Sequence, residues 1–185
     1  WHARRHRARL IMGLHTHFET QAELYWNRVL GGINRAYFNF SNGLLLKEAA
    51  LVLANSEHMV ETAKKMGARD VELIGAPLPT EFVEKPLPSS DGSIKRVLFA
   101  GRLAAEKNVE YVLEAAERLP HLEFSIAGDG PLRALVEGKA RELSNLRYLG
   151  WLNRGDMLEV MDACDVLVLP SSLETFGTIA LEAMV

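Results

Sequence analysis

Four charged side chains in the second half of the chain have the types and spacing to form a binding site. Arg102 and Lys107 follow an apolar run ending at Ala100; a planar guanidinium fork beside a compact ammonium suits two adjacent phosphates. Glu174 and Glu182 stand eight residues apart around Phe176-Gly177-Thr178, where a loop passes into a run of good helix formers. The main-chain N–H groups of Phe176, Gly177 and Thr178 are placed to meet an anion, and Gly177 allows it close. Glu182 lies one turn past Thr178, and helical side chains lean toward the N-terminus, so both carboxylates can face one pocket. Carboxylates accept hydrogen bonds from pairs of sugar hydroxyls. Taken alone, two such acids read equally well as a solvated loop glutamate and a paired helix glutamate.

Other candidates sit at the ends of apolar runs. His15 and His17 follow residues 10–14, at the strand end where parallel sheets bind ligands; a structural histidine is the competing reading. Gly128-Asp129-Gly130-Pro131 opens a helical stretch but lacks the third glycine of a dinucleotide fingerprint, and turn chemistry alone explains it. Trp151 and Leu152 follow Gly150, where backbone contacts to a nucleobase are expected. Trp151 either stacks on the base or packs into the core. The sequence has no Asp-x-Asp and no His/Cys cluster at metal-ligand spacing. No metal and no cofactor is therefore expected, and diphosphate neutralisation falls to Arg102, Lys107 and the helix start.

These residues need a scaffold, and the pattern supplies one. From residue 96 onward short apolar runs (96–100, 123–127, 146–150, 165–169) alternate with helical stretches (109–119, 132–143, 155–163). That alternation predicts right-handed βαβ units and a parallel sheet. Before it, strands are expected at 10–14, 50–54 and 71–74, and Ser56 is expected to cap a helix over 57–66 that ends at Gly67. Trp26, Tyr37 and Phe40 are expected to pack a helical region. Pro86, Pro88, Ser89, Ser90, Asp91 and Gly92 shift the composition toward a linker. The expected organisation is a first domain over 1–83, a linker over 84–95 and a second domain over 96–185.

The 185 residues carry a net charge of −3, so nothing global recruits nucleic acid. The basic stretch 1–9 reads as a solvated helix face or as a contact for acidic lipid head groups. Cys164, the single cysteine, has no disulfide partner in the chain and is expected in the core. With no apolar run of spanning length and no signal peptide visible, the default is cytoplasmic, with the inner membrane face as the place for any lipid contact. The chain starts at Trp1 rather than Met and stops at Val185 inside a helical pattern, as an internal piece of a longer protein would.

Glu174 and Glu182 with Pro170, Ser171, Phe176, Gly177, Ala183 and Met184 resemble the Glu-x7-Glu donor motif of the family 4 retaining glycosyltransferases. Gly101-Arg102-Leu103-Ala104-Ala105-Glu106-Lys107, Gly128-Asp129-Gly130-Pro131 and Leu14-His15-Thr16-His17-Phe18 are similar to further segments of that family. The loop 75–82 departs from the family's usual Asn-Gly-Val-Asp. The resemblance implies an α/β fold of GT-B type, two Rossmann-like domains that are both incomplete here, and a retaining, metal-independent sugar transfer. It implies that Arg102 and Lys107 bind the donor diphosphate, that Glu182 binds ribose and Glu174 the sugar, and that Gly130 lies near the donor pocket. His15 would reach the transferred sugar, with His17 auxiliary. The donor would be a nucleotide-diphosphate sugar and the acceptor a lipid, glycan or small molecule. A nucleotide-sugar epimerase, a phosphorylase and a noncatalytic binding module share the architecture; a phosphorylase needs a pyridoxal lysine, for which no signature appears.

Overall fold

The computed structural model describes residues 5–6, 8–15, 28–75, 78, 80–83, 92–174 and 177–184. Contacts divide the chain into two units, Trp1–Pro77 and Leu78–Val185. His17, Trp26, Phe176 and the first part, 84–91, of the linker expected over 84–95 lie outside the described residues.

In the first unit β1 (Ile11–Leu14), β2 (Leu51–Ala54) and β3 (Val71–Leu73) form a parallel sheet in the order β1-β2-β3. Between them run α1 (Arg28–Glu48) and α2 (Glu57–Lys65). Leu14, Leu46, Ala49, Val52, Ala54, Met59 and Ala63 make its core. The expected cap is present: Ser56 Oγ accepts from the Met59 N–H at 3.3 Å, and Gly67 takes φ 97° just past the helix. Tyr37 and Phe40 do not pack as expected. They lie on α1 but are 65% and 69% exposed, in one stripe with Ile33 and Leu44, because the face carrying Leu46 is the one turned to the sheet.

The second unit is a four-stranded parallel sheet of β4 (Arg96–Ala100), β5 (Glu123–Ala127), β6 (Leu146–Gly150) and β7 (Val166–Leu167). Ahead of it, a short helix α3 (Thr80–Val83) occupies what the sequence suggested was loop, and Phe82 is buried against Leu98, Ala100 and Met161. Helices α4 (Val109–Arg118) and α5 (Arg133–Glu142) lie between β4, β5 and β6, and α6 (Arg154–Ala163) leads to β7. A final helix, α7 (Thr178–Ala183), follows. Val109, Val112, Leu113 and Ala116 recur at helical spacing on α4 and bury against Val97, Phe99, Phe124 and Ile126. On the other face, Leu98, Ala100, Ala127 and Leu167 meet Met157, Leu158 and Met161 of α6. Covered on both faces, β4 is apolar at every position after Arg96.

Two polar side chains missing from the sequence reading hold this unit together. Asn145 Nδ2 donates to the carbonyls of Ala116 at 3.0 Å, Leu119 at 3.3 Å and Leu122 at 2.9 Å, satisfying the C-terminal end of α4. Asp165 Oδ2 accepts from the Lys95 and Arg96 N–H groups at 3.0 and 2.8 Å, while its Oδ1 meets Arg96 Nη2 at 2.9 Å. Beside this clip, the strand expected over 165–169 is paired in register at Val166 and Leu167, and the Asp165 and Val168 N–H groups extend its contact with β4 by donating to the Arg96 and Leu98 carbonyls at 2.9 and 2.8 Å. Cys164 is half-buried beside Asp165, its thiol donating to the Met161 carbonyl at 3.1 Å. Burial and then Asp165 push that thiol up, so it stays protonated at neutral pH.

The Arg96 guanidinium and two main-chain N–H donors hold the Asp165 carboxyl far below the ordinary carboxylate range. A depressed carboxyl stabilises the fold above its unfolded value of about 3.9 and loses that contribution as pH falls below it. Asp165→Asn should therefore melt earlier than wild type at pH 7, with the gap closing as pH drops from about 5 toward 2. Melting curves across that range check it; a gap constant with pH contradicts the clip.

Candidate nucleotide-sugar site

The order β6-β5-β4-β7 puts a switch point between β4 and β7. From β4 the chain steps outward through β5 and β6, then returns to the opposite side of β4. The C-terminal ends of the strands at such a point are the usual ligand position in open parallel sheets. A pocket of about 580 Å³ lies at this point.

The turn after β4 supplies Arg102 and Lys107 to its lining. This turn contains a 3₁₀ segment at Ala105–Lys107 and ends at Asn108 in the left-handed region, φ 49°. The loop after β7 supplies Ser171, Glu174, Gly177, Thr178 and Ile179. The two loops are tied together. Lys107 Nζ meets Glu174 Oε1 at 2.5 Å, and Ser171 Oγ donates to the same oxygen at 2.8 Å. Ser172 donates to the Glu106 carbonyl through its N–H at 2.9 Å and its hydroxyl at 3.2 Å. Asn108 Nδ2 donates to the Pro170 carbonyl at 2.9 Å.

A third wall comes from the turns after β5 and β6, with Gly128, Asp129, Trp151 and Leu152. Trp151 is 75% exposed, which removes the core-packing reading and leaves its indole available at the pocket. Asp129 was read from sequence only as a turn residue. It lines the pocket, its Oδ1 accepts from the Gly130 N–H at 2.8 Å, and its Oδ2 lies 3.8 Å from Arg133 Nη1. Arg133 is drawn mainly to Glu137, at 2.7 Å.

The glycines of this turn answer to backbone crowding. A Cβ on Gly128 would stand 1.8 Å from the Gly101 carbonyl oxygen, and one on Gly130 would stand 2.5 Å from that of Leu103. Hydrogen bonds lock this approach: Gly101 N–H to Ala127 O, Leu103 N–H to Asp129 O and Gly128 N–H to Gly150 O, at 3.0, 3.0 and 2.7 Å. Close contact with the β4 turn accounts for Gly128 and Gly130, and Gly130 itself does not line the pocket.

The remaining sequence candidates fall as follows. Arg102, Lys107, Trp151, Leu152, Glu174, Gly177 and Thr178 come together in the lining. Glu182 is on α7 but outside it; burial pushes its carboxyl up, with Arg154 pulling the other way. Gly177 precedes α7 with φ 64°. His15 belongs to the first unit, exposed just beyond β1, where its ring folds back over Gly13. Among the described residues no group of three His, Cys, Asp or Glu is placed to hold a metal ion, and no helix is long and apolar enough to cross a membrane.

Residues 84–185, more than half of the chain, match the model of the family described as glycosyl transferases group 1. The chain belongs to that family. It is 31% identical over 150 residues to YqgM, an uncharacterized glycosyltransferase of Bacillus subtilis, covering 76% of this chain and 41% of that one. Among solved structures it is similar to Anabaena Alr3699/HepE in complex with UDP-glucose, with a TM-score of 0.68 and 18% identity, covering 98% of this chain and 52% of that one. Sucrose-phosphate synthase of Thermosynechococcus elongatus gives a TM-score of 0.74 at 18% identity, covering 96% and 48%. The fold is thus the α/β arrangement with parallel sheets of the GT-B glycosyltransferases. The chain spans about two fifths of the Bacillus relative and about half of each of these structures.

Gly128→Ala should cost on the order of 2–4 kcal/mol, the sum of a left-handed φ and a backbone overlap. Chemical denaturation of wild type and variant measures this, and an unchanged midpoint would show that the two turns are not in contact.

Proposed function

We propose that this chain carries the donor site of a retaining, metal-independent glycosyltransferase of the family 4 type, acting on a nucleotide-diphosphate sugar. The observation that supports this best is the meeting of Arg102, Lys107 and Glu174 in one strand-end pocket. In this reading Arg102 and Lys107 hold the diphosphate and stabilise the charge that develops on it as the sugar bond breaks. The Gly177 and Thr178 amides add donors, joined by that of Phe176. Trp151 stacks on the base and Leu152 contacts it through its backbone. Glu174 accepts from the sugar hydroxyls; Glu182, on α7 outside the lining, is assigned to the ribose hydroxyls, and His15 is the residue assigned to the transferred sugar. The departing phosphate takes the acceptor's proton, so no side chain is named as base. The acceptor is a lipid, glycan or small molecule, and the enzyme works in the cytoplasm.

A diphosphate that reaches Lys107 must compete with the Glu174 carboxylate for it. Arg102→Ala and Lys107→Ala should each weaken binding of a nucleoside diphosphate by about 1.5–3 kcal/mol. Calorimetric titration of the full-length protein with UDP, ADP and GDP checks this; unchanged affinity in both variants would rule the site out. Glu174→Gln should behave differently. It frees Lys107 from its carboxylate partner, so bare nucleoside diphosphate should bind at least as tightly as before while the intact sugar donor binds more weakly. Equal losses for both ligands would contradict the role given to Glu174. An acceptor-dependent release assay separates a transferase from an epimerase or a binding module.

A further inference from the structure

We propose that Asn108 is a positioning residue for the pocket, fixing Lys107 against the β7 loop without touching the ligand itself. This rests on the nucleoside-diphosphate reading of the site. Asn108 immediately follows Lys107 and directly precedes α4, at the capping position where an asparagine side chain commonly bonds the first turn. Here it makes no cap. Its φ of 49° is the one positive value at a non-glycine among the described residues. Glycine meets that backbone requirement at no steric cost, so a side chain here calls for a use. The use on the page is the 2.9 Å bond to the Pro170 carbonyl, 62 residues on. That bond joins the residue next to Lys107 to the loop that carries Ser171 and Glu174. Together with the Ser172 bonds to Glu106, it straps the two loops on either side of the Lys107–Glu174 pair. Without the amide, Lys107 keeps its place in the chain but loses its fixed distance from the β7 loop, and a cation held loosely binds a diphosphate less well.

The test uses the full-length protein titrated with UDP, ADP and GDP, taking the tightest binder. Asn108→Gly keeps the left-handed backbone and removes only the amide. It should weaken affinity roughly three- to ten-fold, the scale of one neutral hydrogen bond. The melting temperature should move by less than about 3 °C. Asn108→Asp, which also tolerates the conformation but cannot donate, should weaken affinity in the same direction. Because Asn108 acts through Lys107, Asn108→Gly should have no further effect on affinity in a Lys107→Ala background. Wild-type affinity in Asn108→Gly overturns the proposal. So does an equal loss carried into the Lys107→Ala background, or a melting temperature that falls in step with affinity. If Lys107→Ala itself binds all three nucleotides as wild type does, the donor reading fails and this inference falls with it.

Discussion

The charged centre of the site in the second unit is one contact, the Lys107 ammonium against the Glu174 carboxylate at 2.5 Å. These groups are 67 residues apart in sequence, and only the adjacency of β4 and β7 brings them together. Both are partly shielded, so the attraction is less screened than at an open surface, yet each still reaches the pocket. The pair therefore does two things at once. It pins the β7 loop to the β4 turn, and it presents a cation and an anion side by side to whatever enters. A ligand bearing phosphate next to sugar matches that order of charge and hydroxyl acceptor.

The rest of the unit can be read as what keeps that contact in place. The Asp165 clip sets the register at the start of β4 and β7, at the far end of the strands. The Gly101, Gly128 and Leu103 backbone contacts bring the β5 turn hard against the β4 turn, leaving no room for a Cβ. Tyr148 reinforces the same place, its hydroxyl donating to the Gly128 carbonyl at 3.0 Å. Rigid turns at three neighbouring strand ends give the pocket its shape, while the charged loops give it its chemistry.

Much of this was legible in sequence because the signals were local. The run from Val97 to Ala100, the helical spacing of Val109, Val112, Leu113 and Ala116, and the Ser56 cap each announce themselves within a few residues. Arg102, Lys107, Glu174, Gly177 and Thr178 were placed at strand ends by the same logic and do line one pocket. What escaped the reading was long-range or conformational. The Asn108 side chain reaches Pro170, and Asn145 serves three carbonyls of a preceding segment, neither of which a linear pattern encodes. Asn108 after a charged pair was the available hint, since asparagine tolerates the left-handed turn. Tyr37 and Phe40 were expected to pack, but the helix face that contains Leu46 took that position. Trp151 is exposed as well, in the lining of the pocket.

The central claim is that the pocket lined by the β4 and β7 loops receives a diphosphate through Arg102 and Lys107. A crystal structure of the full-length protein with its tightest-binding nucleoside diphosphate tests this most directly. The account predicts phosphate oxygens within about 3 Å of the Arg102 guanidinium and of Lys107 Nζ, with the Glu174 carboxylate parted from the lysine. A nucleotide bound with its phosphates away from both cations, and the Lys107–Glu174 pair intact, would contradict it.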